Sequence, residues 1–382
     1  MGCLFFAKRL FRCSVAILCF PLLIACGNSV STMQNAVVGD TLKMSHAHLL
    51  QIVECDSFTL VDIKNPWKEG LLHRYLLVPK ETNIPANMPQ GTLLRTPLDN
   101  LLLFSSVHAS LLQDLGEMNA VKGVCDSRYM LLPAVHEKIA QGVIEDCGST
   151  LNIDVEKVVQ ISPEAIMVLP FENGGYGKID KLSFPVVECV EYMEHSPLAA
   201  AEWMRFYGRL VGKAPLADSL FSTVKNRFYT LRALVDTCAN RPTLMCELKS
   251  SSAWYMPAAQ STMGQMYKTA GAHYLFDDNN GSGSLPLSYE TVLSRAVNAD
   301  LWLLKYNSSK DKTYTSLVSE FSGYSHFKPF KTKSIYVCNT GKKPFYEETP
   351  FHPDLLLSDL IAIFHPLLLP EHKLRYYEKM QE

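Results

Sequence analysis

The chain has 382 residues, 36 Lys and Arg against 38 Asp and Glu, and a formal charge of −2. That balance leaves no basic footprint for a nucleic acid. The length is too great for one ordinary core and implies about two domains.

Lys8, Arg9 and Arg12 form a positive opening, and "CSVAILCFPLLIA" (13–25) is an apolar run shorter than the ~20 residues of a membrane span. It ends in "LIAC", Leu23 to Cys26. A small residue directly before a cysteine at the end of such a run is the cleavage pattern of signal peptidase II. The expectation is a lipoprotein signal peptide over 1–25, a lipid on Cys26, and a tether of small polar residues over 26–40. The protein would then sit on the periplasmic side of the cell envelope, touching a membrane through its N-terminal lipid alone. An ordinary secretory signal or an anchor helix are the alternatives. Cleavage removes three basic and no acidic residues, moving the charge from −2 to −5.

Seven cysteines follow Cys26, namely Cys55, Cys125, Cys147, Cys189, Cys238, Cys246 and Cys338. The number is odd, so at least one stays unpaired. No CxxC occurs, which argues against zinc or thioredoxin-like chemistry, and these residues read as small core side chains.

"FTLVDIKNPW" (58–67) and "RYLLVPK" (74–80) alternate apolar and polar residues and predict a hairpin-like β segment over 55–80. "NIPANMPQGT" is a Pro-rich loop. From residue 98 short apolar runs alternate with helical patterns: "NLLLFSS" and "ASLLQDLG", "VKGVC" and "VHEKIAQG", "DVEKVVQIS" and "EAIMVLPF", then "PVVECV". That rhythm predicts an α/β fold, a parallel sheet with helices on both faces. Residues 196–238 break it. Ser196 is a helix N-cap and Pro197 a first-turn residue, and apolar positions keep helical spacing for some forty residues with one interruption near Gly212 to Pro215. Such a segment suits a stiff strut between two lobes. The βα rhythm then restarts with "PTLMCEL", "MGQMYKTAG", "ETVLSRA", "ADLWLLKY" and "SIYVC", and closes on the helix "PDLLLSDLIAIFH". Glu156 before "AIMVLPFEN" and Glu290 before "DLWLLKYN" fall at equivalent points of the two halves.

The apolar strand "LLLF" hands over to a helix through Ser105, Ser106 and His108. Such a turn could hold a nucleophile with its base, or donors for a ligand. No GxSxG or HExxH occurs, and "GRLVGK" lacks both the spacing and the Ser or Thr of a phosphate loop, so no catalytic or metal-ligating set and no cofactor is assigned. What remains are loops at the carboxyl ends of predicted parallel strands, where open α/β sheets bind ligands. They are "SSVHAS" (105–110), "DSRYM" (126–130), "FENGGYGK" (171–178), "SSSAWYMPAAQS" (250–261) and "KYNSSK" (305–310). Their aromatics, hydroxyls, amides and single charges suit a large, part-apolar ligand.

With these loops in place, "NLLLFSSVHASLLQDLGEMNAVKGV", "LNIDVEKVVQISPEAIMVLP", "FPVVECVEYMEHSPLAAAEWMRFYGRLVGKAPLADSLF", "AWYMPAAQSTMGQMYKTAGAHYLF" and "HPDLLLSDLIAIFHPLLLP" resemble the solute-binding lipoproteins of ABC importers for iron chelates and cobalamin, in order across most of 58–370. The resemblance implies class III architecture: two Rossmann-like lobes, 41–195 and 239–382, joined by one long rigid helix over 196–238. It implies no enzyme activity, and a monomer that captures its ligand between the lobes and delivers it to an ABC permease and its ATPase. It also places permease-docking carboxylates on Glu156 and Glu290. Ligand contacts are expected from Ser105, Ser106, His108, Arg128, Tyr129, Asn173, Tyr176, Trp254, Tyr255, Lys305 and Tyr306. An iron complex, ferric siderophore or haem, is the first expectation and a corrinoid the second. A haem would use an axial Tyr or His, and an anionic siderophore would use Arg128, Lys178 and Lys305. A lipid-anchored cell-envelope hydrolase is the rival of a different class.

Overall fold

The computed structural model describes residues 39–382. The expected signal peptide, Cys26 and nearly all of the tether lie outside the described residues. Among those described, no helix is long and apolar enough to cross a membrane.

The described chain opens with a five-stranded sheet of β1 (Asp40–Thr41), β2 (Leu50–Glu54), β3 (Thr59–Lys64), β4 (Leu71–Pro79) and β5 (Thr92–Thr96), in that spatial order. The first four are antiparallel. β5 joins β4 in parallel, so the chain needs the Pro-rich crossover at 80–91 to return to the starting end. Arg74 forks onto the carboxylate of Asp62 directly across the β3–β4 ladder, both contacts at 2.6 Å. The sequence pattern predicts only the middle of this sheet. "LQIVE" and "TLLRT" are too short to show a period of their own.

The first lobe follows, with β6 (Leu101–Leu103), α1 (Ser106–Asp114), β7 (Val121–Val124), α2 (Pro133–Ala140), β8 (Glu145–Asp146), the small ladder of β9 (Gly148–Ser149) and β10 (Asn152–Ile153), α3 (Val155–Ile161), β11 (Ala165–Val168) and β12 (Val186–Glu188). The main sheet runs β12-β11-β6-β7-β8, all parallel. Both faces are covered, so β6 and β11 are buried at every residue and read as unbroken apolar runs. Ser105 starts α1 by accepting a hydrogen bond from the Val107 amide (3.2 Å), and Asp154 starts α3 by accepting from Glu156 and Lys157. β6 connects onward to β7 on one side and its neighbour β11 to β12 on the other, which leaves a crevice at their carboxyl ends.

Three helices leave this lobe: α4 (Pro197–Glu202), α5 (Met204–Leu210) and α6 (Ala214–Asp236). The forty-residue strut expected over 196–238 is therefore bent. Gly212 takes a positive φ of 70° and turns the chain. Gly208 lets α6 fold back against α5, since a Cβ there would lie 2.3 Å from that of Ala217. α6 is the connecting helix, 23 residues long and roughly 34 Å from end to end. Phe221, Val224, Phe228, Leu231 and Val235 form its buried stripe.

The second lobe contains β13 (Thr243–Cys246), β14 (Lys249–Ser250), β15 (Ala253–Pro257), α7 (Thr262–Thr269), β16 (His273–Tyr274), β17 (Ser284–Leu287), α8 (Tyr289–Ala296), β18 (Leu301–Tyr306), α9 (Tyr314–Glu320), α10 (Lys328–Lys331), β19 (Ile335–Asn339), α11 (Phe345–Glu348), α12 (Pro353–Phe364) and β20 (Glu378–Lys379). Its main sheet runs β16-β13-β18-β19-β20, parallel except for β20. β14, β15 and β17 form a separate antiparallel sheet.

Buried carboxylates fasten the first sheet to the helices. Glu202, fully buried on α4, accepts from the amides of Ser45 (2.9 Å), His46 (2.7 Å) and Ala47 (2.8 Å). Glu194 accepts from Leu49 (3.0 Å) and from the Trp203 indole (2.9 Å). Burial alone would raise the Glu202 carboxyl, but the amides of Ser45, Ala47 and His46 outweigh it and hold the group below its usual 4.5. A depressed carboxyl stabilises the fold fully above its ordinary value, and that contribution disappears as pH falls through the folded value. Glu202→Gln should therefore cost about 2–4 kcal/mol at neutral pH and lose less additional stability on acidification below 4.5. Urea unfolding measured across that range would show it. Neutral-pH stability within about 0.5 kcal/mol of the parent would contradict the anchoring role.

Candidate functional site

The crevice predicted from the strand order opens into a cavity of about 380 Å³ between the two lobes. The first lobe supplies Ser105 and Val107 from the start of α1, Leu169 and Phe171 from the loop after β11, and Glu191 and Tyr192 from the turn after β12. α4 contributes Pro197 and Ala200. The second lobe closes the other side with Thr262, Met263 and Met266 of α7, Tyr346 and Thr349 around α11, and Pro353 and Leu356 of α12.

The wall is mostly apolar, and Glu191 is its one charged residue among those described. Among the described residues, no Lys, Arg or His lines it. Phe171, Tyr192 and Tyr346 stay 71%, 43% and 59% exposed, so three large rings face open space around one concavity. Uncovered aromatics clustered at a cleft mark a binding surface far more specifically than scattered ones do. The Tyr192 hydroxyl is anchored on the Pro170 carbonyl.

Beneath the floor lies a buried polar cluster. His108 Nε2 meets Glu191 Oε1 at 2.9 Å, and the Tyr207 hydroxyl donates to Glu191 Oε2 at 2.6 Å. Burial alone would lower the His108 imidazole, yet the neighbouring Cys189 and Glu191 hold it at about 10. Burial likewise opposes ionisation of Glu191, but His108 and the hydrogen bond from Tyr207 hold it below its usual value. The pair is buried, with Glu191 touching the cavity and His108 packed beneath it.

Of the eleven expected ligand residues, Ser105 alone lines the cavity. His108 is 1% exposed and spends its ring on Glu191, so the expectation that it faces a ligand is corrected. Ser106 is half-buried on the first turn of α1. Trp254 is also corrected: it is fully buried, packed on Trp302, Tyr324 and Phe327, and donates its indole N–H to the Cys246 carbonyl. Tyr255, next along β15, points outward and is 50% exposed. Lys305 is half-buried and paired with Glu247, and Tyr306 is buried with its hydroxyl accepting from the Lys312 amide. Neither is free to grip an anion in the cleft. Arg128 stacks over Tyr129, 4.6 Å from the ring centre, beside a separate hollow with Asp126 and Asp146. Asn173 is exposed in a left-handed conformation with φ 57°, Tyr176 donates to Glu188 at 2.5 Å, and Lys178 reaches Asn152. Glu156 and Glu290 are exposed on the first turns of α3 and α8, one on each lobe.

Phe171, Tyr192, Thr262, Met263 and Tyr346 form the wall instead. Phe171 carried a usable signal, since it stands just beyond β11 at the point where the strand order reverses. The others converge only through the tertiary fold.

A family model described as periplasmic binding protein matches residues 113–340. The chain belongs to that family. This periplasmic binding protein is 25% identical over 323 residues to an uncharacterized lipoprotein of Methanocaldococcus jannaschii, covering 80% of this chain and 76% of that one. Among solved structures it is similar to a possible iron-binding, periplasmic solute-binding protein of Staphylococcus epidermidis, with TM-score 0.56, 17% identity, and coverage of 70% of this chain and 99% of the other. It is also similar to a periplasmic heme binding protein of Pseudomonas aeruginosa, with TM-score 0.56, 14% identity, and coverage of 74% and 98%. Two lobes joined by a connecting helix are the class III arrangement, and the protein is a solute-binding component of the ABC-transporter type. Such components serve a permease and its ATPase.

Proposed function

We propose that this periplasmic binding protein captures a bulky, flat and largely apolar iron complex of the haem type in the interlobe cavity. One observation carries the choice: the wall combines Phe171, Tyr192 and Tyr346 with aliphatic and Met side chains and has no Lys or Arg among the described residues. A highly anionic ferric siderophore entering that wall would lose water without gaining a counter-charge. A tetrapyrrole presents apolar faces to such a wall, and its carboxylates can stay at the mouth in water. The phenol of Tyr346 is the oxygen available as an axial ligand. The heme binding protein among the structural neighbours has the same fold. Haemin titration should give a saturable shift of the Soret band. Phe171→Ala and Tyr346→Ala should each weaken it by about 1–2 kcal/mol, roughly 5–30-fold. Tight binding of cobalamin or a neutral ferric hydroxamate, with no response to haemin, would overturn the haem assignment.

Delivery follows from the exposed carboxylates. The Glu290 carboxyl is held below its usual value by its own backbone amide and the Ser288 hydroxyl, so it is charged at neutral pH. Glu156 occupies the matching first turn on the other lobe. Paired surface charges favour fast, oriented encounter more than raw affinity, and a lipid on Cys26 would keep the protein beside its permease. In cells, the Glu156→Lys, Glu290→Lys double variant should bind solute normally but lose most uptake, and Cys26→Ser should no longer incorporate labelled lipid. Undiminished uptake by the double variant would remove the docking assignment, and lipid labelling of Cys26→Ser would remove the anchor.

A further inference from the structure

We propose that His108, Cys189 and Glu191 form a binding site for one divalent transition-metal ion of the zinc class, set directly beneath the floor of the solute cavity. Each residue offers one donor atom, and the three atoms lie within 4.8 Å of one another with all three side chains buried. Donors bound 2.0–2.3 Å from a tetrahedral zinc stand roughly 3.3–3.8 Å apart, so convergence on an ion needs side-chain adjustment and no refolding. Imidazole, thiolate and carboxylate together suit zinc or cobalt and do not suit calcium or magnesium.

The His108 ring turns its Nε2 toward Glu191 at 2.9 Å, so that nitrogen is the one placed to share an ion with the carboxylate. The surroundings also resemble the support that metal ligands receive. The Tyr207 hydroxyl holds the second oxygen of Glu191 at 2.6 Å, which fixes the carboxylate as outer partners of ligating groups do.

Charge balance favours the exchange. A divalent ion with cysteinate, glutamate and neutral imidazole is neutral overall, which a site this deep requires. On loading, the Cys189 thiol and the His108 ring each release a proton to water, and three metal–ligand bonds replace two weaker contacts. Those contacts are the His108–Glu191 pair at 2.9 Å and the Cys189 thiol contact with the Val187 carbonyl at 3.5 Å. Glu191 lines the cavity, so an ion reaches the site through the solute cleft. The inference does not rest on which solute the cleft takes.

Cobalt tests it, because a cobalt–thiolate bond absorbs in the near ultraviolet and tetrahedral cobalt absorbs strongly in the visible. The titration uses the chain from residue 39 onward of a Cys55→Ser, Cys238→Ser background, since those two thiols are the half-buried ones among the described residues. One equivalent of Co²⁺ should produce both bands, and Zn²⁺ should remove them. Cys189→Ser should abolish the near-ultraviolet band, and His108→Gln should weaken cobalt binding at least tenfold. Failure of the background protein to develop a near-ultraviolet band with Co²⁺ would overturn the proposal, whatever the variants do. Persistence of that band in a folded Cys189→Ser protein, checked by circular dichroism, would overturn it equally.

Discussion

The structure depends on one short stretch, residues 188–202, whose four glutamates tie it to three separate parts of the molecule. Glu188 takes the Tyr176 hydroxyl and meets the ring of His73 on β4. Glu191 binds His108 on α1 and Tyr207 on α5. Glu194 and Glu202 cap the amides of 45–49 that lead into β2. A carboxylate withdrawn from water is tolerated only where donors surround it, so each of these groups fixes its partners in return. The stretch runs from the last strand of the first lobe into α4, and it therefore sets where the connecting helices begin.

The cavity inherits its shape from that constraint. Glu191, Tyr192, Pro197 and Ala200 all belong to the fastened stretch and all face the solute space. The opposite wall comes from α7, α11 and α12, elements of the second lobe. Charge is spent below the floor, where His108 neutralises Glu191, and the surface offered to a solute is left apolar and aromatic. A site of this kind selects by shape and by desolvation more than by ion pairing. The helix start at Ser105, which the sequence offered as donors for a ligand, spends its hydroxyl on its own cap.

Much of the architecture was legible because it depends on local pattern. The strands Leu101–Leu103, Ala165–Val168 and Leu301–Tyr306 read as apolar runs bounded by polar turns, and the structure places them in parallel sheets. Ser196 and Pro197 start a helix as their chemistry suggests. The site was far less legible. On β15 successive side chains point to opposite faces, and sequence alone does not say which face is inside. Trp254 goes in and Tyr255 goes out. His108 could have been placed correctly, since it stands three, four and seven residues before Leu111, Leu112 and Leu115, all buried with it. Tyr346 and Met263 lie on separate segments of the second lobe, and nothing in either segment marks it as facing Phe171.

The central claim is that solute is held between the lobes against this aromatic wall. Hydrogen–deuterium exchange with and without saturating haemin tests it most directly. The account predicts protection on both sides at once, in the loop around Phe171 and Tyr192 and in the segments around Met263 and Tyr346, with the hollow beside Arg128 unchanged. Protection confined to one lobe, or centred on Arg128 and Tyr129, would contradict it.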